Sequence, residues 1–131
     1  MTPADALPSA QAPVEVVTLG ETMALLGAPE IGLLRHANTM RLSVGGAESN
    51  LAIGLARLGR KVTWIGRVGD DEFGRLVQMT LAGQGVDVSA AVVDPAAPTA
   101  LLVKERRTSR LTRVYYWPNG WPPPRARAPT R

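Results

Sequence analysis

The sequence predicts an α/β fold, because strand-like and helix-like segments alternate along most of it. Residues 14–20 form a short apolar run ending in glycine, typical of a buried first strand in a parallel sheet. Residues 47–58 and 73–81 repeat apolar side chains with the period of an amphipathic helix. Residues 62–65 lie between these helices and alternate as a strand does.

The segment between the first strand and the first helix predicts two short strands and a loop. The strands are expected at residues 23–26 and 40–44. His36, the only histidine, has no carboxylate or serine at a recognisable spacing, so we expect an exposed loop residue. Glu21 follows the first strand, where open α/β sheets bind ligands, although a solvated turn carboxylate is an equally good interpretation.

The first helix is predicted over residues 47–58, with Gly59 as its stop. Its expected apolar stripe consists of Leu51, Leu55 and Leu58. Gly54 inside the helix costs roughly 1 kcal/mol relative to alanine. Close packing of the helix against the sheet is the expected reason for that glycine.

The second helix is predicted after a strand at residues 62–65 and a turn at residues 66–69, with Asp70 or Asp71 as its cap. Its apolar face comprises Phe73, Leu76, Val77 and Leu81, and Gly83 and Gly85 end it. Acidic residues 70–72 suggest metal binding as one alternative, but at a helix start they more simply offset the dipole.

The rest of the predicted fold consists of strands. Residues 86–93 form a third strand region. Residues 99–104 and 111–117 predict a hairpin with a polar loop at residues 107–110.

The start of the first helix is the candidate binding site. Gly45 and Gly46 let another molecule approach the main chain, and the amides of Ala47 and Glu48 lack intrahelical acceptors. Asn50, one turn in, offers both a donor and an acceptor to a hydroxyl or carboxylate ligand. The alternative is an ordinary tight turn before a helix.

GGAESN, the helix after it and residues 61–74 together resemble the first signature of the ribokinase-like (PfkB-type) carbohydrate kinases. The branch with 2-keto-3-deoxygluconate kinases and fructokinases is the most similar, and the resemblance covers residues 14–116. It implies the N-terminal part of a three-layer, Rossmann-like fold with a small β-sheet lid. It also implies a sugar or sugar acid bound by Gly45, Gly46, Ala47, Glu48 and Asn50.

The lid strands of that family close over the sugar and often mediate dimerisation, so the resemblance also implies a homodimer formed through the lid. Tyr116 matches a substrate-contacting tyrosine of the keto-deoxygluconate kinase pattern. Pro118 stands where that pattern has an arginine, and Leu102 where it has another tyrosine. Both departures weaken the assignment of an acidic sugar as substrate.

Nucleotide-handling motifs are not found in the sequence. There is no GxxxxGK(S/T) loop, no GxGxxG after the first strand and no DTxGAGD segment, which carries the ATP site and catalytic aspartate in the resembling family. Asp87 and Asp94 stand in the wrong context for a catalytic base. ATP and Mg²⁺ are implied for the full-length family, and we expect neither of them to bind this chain alone.

The expected function is therefore the sugar-binding part, residues 14–117, of an ATP-dependent kinase that phosphorylates a keto-sugar or 2-keto-3-deoxy sugar acid. Without the second signature the chain is expected to be inactive alone. The alternatives are a non-catalytic sugar-binding module and an inert truncated fragment.

The two ends of the chain are expected to be disordered. Residues 1–13 are rich in alanine and proline, and residues 118–131 hold five prolines with no periodic pattern. The second segment reads as a truncated or frame-shifted end of a longer gene. Residues 104–131 carry eight Lys/Arg and one Glu, but we do not expect nucleic-acid binding, because spaced aromatic platforms are missing.

The absence of cysteine excludes disulfides and thiolate metal sites and fits a cytoplasmic protein. We read no signal peptide and no segment with the roughly 20 apolar residues that cross a membrane.

Overall fold

The structure, a computed structural model, describes residues 13–118. The disorder expected for residues 1–12 and 119–131 lies outside the described residues. Within them the elements, in chain order, are β1 Val16–Leu19, β2 Met23–Gly27, β3 Arg41–Gly45, α1 Ala47–Arg57, β4 Val62–Ile65, β5 Arg67–Gly69, α2 Glu72–Gly83, β6 Val92–Asp94, β7 Leu101–Arg106 and β8 Thr112–Trp117.

The core lies between parallel strands and the two helices. β1 pairs in parallel with β4, and Thr63 of β4 bridges in parallel to Asp87. α1 packs on β1 and β4, while α2 packs on β5 and β2. The buried apolar side chains at the centre are Ala52, Val62, Trp64, Val68, Val77, Leu81 and Val86. This arrangement confirms the α/β class predicted from the sequence.

A separate four-stranded sheet, which we call the lid sheet, has the strand order β3-β2-β7-β8. β2 pairs with β3 antiparallel and with β7 in parallel, and β8 completes the sheet as the antiparallel partner of β7. The predicted hairpin is confirmed, with its loop after Arg106. The lid sheet joins the core directly, because only three residues separate β1 from β2.

Residues 28–40 form a loop that is fastened to the lid sheet by Glu105 of β7. The Glu105 carboxylate is buried and accepts hydrogen bonds from the Leu34 amide at 2.9 Å, the Tyr115 hydroxyl at 3.2 Å and Arg107 Nε at 3.1 Å. The Leu34 amide is the main reason that the pKa of Glu105 lies below its ordinary value. His36 lies in a short 3-10 turn of this loop and is exposed, as predicted.

The stripe predicted for α1 is wrong in part. Leu51 and Leu58 are exposed, at 56% and 78%, whereas the buried residues of the helix are Ser49 and Ala52. Leu55 packs partly buried against the core, together with Ile53 and Ala56, so the stripe is confirmed at Leu55. Gly54 is exposed and an added Cβ would meet no atom within 4 Å, so the expected sheet-packing role of Gly54 is also wrong.

Two further segments differ from the sequence prediction. Residues 67–69, predicted as a turn, form β5, which pairs in parallel with β6. The strand region predicted at residues 86–93 is mostly irregular, with only the Asp87 bridge and the start of β6 as sheet structure. The first difference arises from pairing with a distant strand, which local apolar patterns do not record.

The apolar face predicted for α2 is confirmed, with Val77 and Leu81 fully buried. Asp71 is its N-cap and accepts a hydrogen bond from the Gly74 amide at 2.8 Å. The same carboxylate accepts from the Thr99 hydroxyl at 2.7 Å and the Thr99 amide at 2.9 Å, which fixes the segment before β7. Asp71 is therefore a structural cap, the interpretation preferred over metal binding.

Neither helix within residues 13–118 has the length and apolar content needed to cross a membrane. The described surface nevertheless carries large apolar side chains on β1, where Val17 and Leu19 are 57% and 71% exposed. Among the described strands, β1 pairs only with β4.

Replacing Asp71 by alanine should lower the free energy of unfolding by about 2 kcal/mol, because α2 loses its cap and Thr99 loses its partner. Burial opposes ionisation of Asp71, but the hydrogen bonds from Thr99, Gly74 and Phe73 outweigh it and lower the pKa. The stabilisation is therefore present above the ordinary pKa of 3.8 and lost as pH falls through the lower folded value.

Urea unfolding at several pH values measures this effect. Asp70→Ala is the matched control, since Asp70 is an exposed acid of the same turn that pairs with Arg75 at 3.1 Å. An exposed pair contributes at most about 1 kcal/mol. Equal losses for the two variants at neutral pH would contradict the assignment of Asp71 as the cap.

Candidate functional site

The candidate site lies where the end of β1 meets the start of α1. The Gly20 amide, directly after β1, donates to the Ile65 carbonyl of β4 at 3.1 Å, so the two parallel strands end side by side. The side chain of Glu48, in the first turn of α1, lies over Gly20 so closely that a methyl group there would overlap it. A carboxylate therefore stands at the carboxyl end of the sheet, the usual ligand edge of such folds.

The start of α1 has no side-chain cap. Gly46 is the N-cap residue and makes no side-chain hydrogen bond, in contrast to Asp71 of α2. The Asn50 amide makes the first intrahelical bond, to the Gly46 carbonyl at 2.9 Å, and Ser49 Oγ donates to the same carbonyl at 3.1 Å. The amides of the three residues before Asn50 precede this first bond and carry the positive end of the helix dipole.

Position 46 requires glycine because other parts of the chain lie too close for a side chain. A Cβ on Gly46 would lie 2.7 Å from the Glu21 carbonyl oxygen, 2.8 Å from Ser49 Oγ and 3.3 Å from Thr22 Cα. Its φ of 167° is extended backbone that other residues also adopt. The sequence interpretation was that the glycine pair lets a ligand approach the main chain. At Gly46 the neighbouring space is instead filled by the connection between β1 and β2.

Tyr116 joins the lid sheet to this site. Its hydroxyl donates a hydrogen bond to the Glu21 carboxylate, which stands after β1. That bond is the main reason that the pKa of Tyr116 is raised to about 12, with burial and the negative charge of Glu21 adding to it. Tyr116 as a whole residue is 48% exposed. Glu21 therefore contacts the start of α1 through its main-chain carbonyl oxygen and the lid sheet through its side-chain carboxylate.

The structure places the sequence-predicted residues at the start of α1 and on β8 of the lid sheet. Gly45, Gly46, Ala47, Glu48 and Asn50 are consecutive or one turn apart, and Tyr116 reaches them through Glu21. Ala47 and Asn50 are exposed, and the other three are half-buried. Two cavities, of about 280 and 210 Å³, lie elsewhere, along residues 28–39 and beside β2 and β3. The binding roles of these six residues stay predictions.

Sequence reasoning missed the contact between Glu21 and Tyr116, although it noted both residues. They are 95 positions apart, and no local pattern links them. It also missed Glu105, which stands between Lys104 and Arg106 in the sequence and carries no local signal of burial. Within residues 13–118, no three histidine or acidic side chains come close enough together to hold a metal ion.

The match to a family model decides the family. Residues 14–121 match the model of the pfkB family of carbohydrate kinases, which is more than half of the chain. The chain belongs to the pfkB family of carbohydrate kinases. The resemblance inferred from GGAESN and residues 61–74 is confirmed.

Relatives within the pfkB family include kinases of the branch expected from the sequence. The 2-dehydro-3-deoxygluconokinase of Bacillus subtilis is 39% identical over 105 residues, covering 79% of this chain and 32% of its own length. A fructokinase of Klebsiella pneumoniae is 51% identical over 59 residues, which cover 45% of this chain and 19% of the fructokinase. The crystal structure of a PfkB protein from Polaromonas is 40% identical with a TM-score of 0.75, covering 79% of this chain and 35% of that one.

This pfkB-family chain thus spans 32% and 35% of the length of two of these relatives. The likeness to solved sugar kinases also confirms the predicted fold, the N-terminal portion of the family architecture with a small lid sheet.

Gly46→Ala should lower the free energy of unfolding by about 1 to 3 kcal/mol, because its methyl group meets backbone atoms that cannot move aside cheaply. Gly54→Ala is the matched control in the same helix. Its methyl group meets nothing within 4 Å, so it should stabilise the protein by about 0.5 to 1 kcal/mol. Urea unfolding of both variants tests this, and a neutral Gly46→Ala would disprove the close approach.

Glu21→Gln should lower the pKa of Tyr116 from about 12 towards the ordinary 10.0, because the carboxylate is the main cause of the shift. Absorbance titration of the phenolate in a Tyr115→Phe background follows Tyr116 alone, since the two are the only tyrosines. In the parent protein the interaction stabilises the fold below pH 10 and is lost as pH rises through the folded pKa. Glu48→Gln, which leaves the bond intact, is the control.

Proposed function

We propose that this chain is the sugar-binding part of an ATP-dependent carbohydrate kinase. The complete kinase would transfer the γ-phosphoryl group of ATP to a primary hydroxyl of a keto-sugar or 2-keto-3-deoxy sugar acid. The observation that carries the proposal is the uncapped start of α1 at the carboxyl end of β1, within a chain of the pfkB family.

The proposed sugar contacts come from three elements. The main chain of Gly45 and Gly46 and the first amides of α1, at Ala47 and Glu48, would donate to sugar oxygens. The Asn50 side chain is exposed beside them and can both donate and accept. Tyr116 would approach from the lid sheet, its ring half exposed and its hydroxyl oriented by Glu21.

The relatives support two substrate classes. The Bacillus subtilis relative is named for 2-dehydro-3-deoxygluconate, a sugar acid, and the Klebsiella pneumoniae relative for fructose, a neutral keto-sugar. Both are ketoses or keto acids of similar size. We infer that the substrate of the complete kinase belongs to one of these classes.

The nucleotide side of the reaction lies outside the residues described. ATP would supply the phosphoryl group and Mg²⁺ would offset its charge. The described residues do not fit these groups, because Asp71 is committed to capping α2, Asp70 pairs with Arg75, and a DTxGAGD segment does not occur in the sequence. We therefore propose that the chain alone does not turn over ATP.

The proposal also includes a cytoplasmic location, in line with a cysteine-free sequence, and a homodimer formed through the lid sheet. β8 supports the dimer, since it is an edge strand of that sheet and its Val114 is 53% exposed. Nucleic acid is not a proposed partner.

Calorimetric titration of fructose and 2-dehydro-3-deoxygluconate into the 131-residue chain tests the sugar site. We expect one of them to bind, and Asn50→Ala to weaken it by about 2- to 10-fold through the loss of neutral hydrogen bonds. Asn38→Ala, an exposed asparagine in the loop before β3, should change nothing.

A coupled ADP assay tests the missing nucleotide side, and we expect no turnover. Phosphorylation above the level of a Gly46→Ala/Asn50→Ala variant would contradict the proposed inactivity. Failure of every sugar to bind the folded chain would contradict the sugar site and favour an inert fragment.

A further inference from the structure

The free edge of β1 exposes main-chain groups as well as side chains. The amides of Val16 and Gly20 donate to carbonyls of β4, so the main-chain groups of these alternate residues point towards that strand. The amides and carbonyls of Val17 and Leu19 therefore point away from β4. Among the strands that the structure describes, none pairs with β1 on that side. Val17 and Leu19 thus form a short edge that can accept another strand.

The side chains of Val17 and Leu19 lie on the face of the β1–β4 sheet that is turned away from α1. Successive side chains of a strand point to opposite faces, so Thr18 lies on the other face. Thr18 is buried there beside its cross-strand partner Trp64, which belongs to the core. Because Val17 and Leu19 are exposed, two large apolar side chains project from the edge strand into water.

Two exposed leucines of α1, Leu51 and Leu58, form a surface that we call the leucine flank. At 3.6 residues per turn they lie about 100° and 120° around the helix from the buried Ala52 in one direction, and Arg57 lies about 140° in the other. Arg57 Nε donates to the Gln84 side chain at the end of α2, at 2.9 Å. The leucine flank therefore faces away from α2.

The leucine flank and the free edge of β1 lie on the same side of the core. Glu48, which is on the same side of α1 as Leu51, lies over Gly20 directly after β1. On the opposite side, Asp87 follows α2 and pairs with Thr63 of β4. Since β4 separates β1 from the end of α2, the flank of α1 that faces away from α2 is the one nearer the β1 edge.

We propose that the free edge of β1 and the leucine flank are an interface between two copies of this chain, with their β1 strands paired antiparallel about a twofold axis at Thr18. A closed dimer uses the same surface on both copies, which for two identical strand edges requires an antiparallel pair. This surface is distinct from β8 of the lid sheet. The inference goes beyond the proposed function, because the interface requires no sugar.

Two requirements place the axis at Thr18. Cross-strand partners share a face, so Val17 can lie opposite Val17 or Leu19 of the second copy but not opposite its Thr18. With Val17 opposite Leu19, the outward amides and carbonyls of both residues pair in each copy, and the exposed apolar side chains cover one another. With Val17 opposite Val17, Leu19 would instead face the charged Glu15.

The same axis brings the two α1 helices to a packing distance. α1 packs on both β1 and β4, so its axis lies over the gap between these strands. With strands about 4.8 Å apart, that gap is centred about 4.8 Å from the twofold axis, and the two helix axes would lie about 10 Å apart. Packed helices are separated by about 8 to 10 Å. The leucine flanks of the two copies would therefore meet.

Charges at the two ends of β1 favour the antiparallel arrangement. At the start of the strand, Glu15 pairs with Arg60 at 3.5 Å and accepts from the Lys61 amide, so two cations and one anion give +1. Beyond the end of the strand stand Glu21 and Glu48, which together carry −2. Antiparallel strands bring the positive end of each copy to the negative end of the other, whereas parallel strands would align like charges.

Sedimentation equilibrium of the 131-residue chain tests the interface. We expect a dimer, and we expect Leu19→Lys and Leu51→Lys/Leu58→Lys each to raise its dissociation constant by about tenfold or more, because an ammonium group enters an apolar contact. All three leucines are exposed in the single chain, so its fold should be unchanged. Met79→Lys alters a similarly exposed apolar residue on α2 and is the matched control, which should have no effect.

Single cysteines test the position of the axis, because the chain has no cysteine of its own. Directly opposed residues of antiparallel strands have Cα atoms about 4.5 to 5.5 Å apart, within the range of a disulfide, so Thr18→Cys should form a covalent dimer under oxidation. Thr18 Oγ1 makes no hydrogen bond within the described residues, so its loss should be tolerated. The Val17 residues of the two copies would be more than about 7 Å apart, so Val17→Cys is the matched control and should stay unlinked.

A monomer at every concentration, or a dimer that neither leucine variant weakens, would overturn the interface. Cross-linking of Val17→Cys in place of Thr18→Cys would overturn the twofold axis at Thr18. A dimer that is lost in Val114→Lys on β8 but kept in Leu19→Lys would assign the association to the lid sheet instead. Protection of the Val17 and Leu19 amides from hydrogen exchange in a monomer would show another segment of the chain on this edge and would also overturn the proposal.

Discussion

The close approach of Gly46 to the backbone of Glu21 and Thr22 is the constraint on which the candidate site depends. It holds the start of α1 against the connection between β1 and β2, with Ser49 and Ala52 buried beneath. Because Gly46 offers no side chain, the first amides of α1 stay uncapped. The same contact therefore fixes the helix and leaves its positive end without a side-chain acceptor.

Glu21 extends this constraint from the core to the lid sheet. The Glu21 carbonyl oxygen lies against Gly46, and the Glu21 carboxylate accepts a hydrogen bond from the Tyr116 hydroxyl. This one residue therefore fixes the relative positions of α1, β1 and the lid sheet. On the far side of the lid sheet, Glu105 fastens the 28–40 loop from a buried position. The two carboxylates stabilise opposite faces of one sheet.

Local features of the sequence predicted local structure well. The Asp71 cap and the Val77 and Leu81 face are both encoded within a few neighbouring residues. The leucine stripe of α1 misled at Leu51 and Leu58, because periodicity identifies an amphipathic helix without telling which face meets the sheet. The Tyr116 bond to Glu21 joins residues 95 positions apart, and only the folded chain brings them together.

The outer side of β1 has a consequence for the behaviour of this chain in solution. Within residues 13–118 that strand has a neighbour on one side only, and Val17 and Leu19 project from it into water. Unsatisfied amides and carbonyls next to apolar side chains favour addition of another strand. The association state should therefore vary with protein concentration, with monomers at high dilution and edge-to-edge assemblies as the concentration rises.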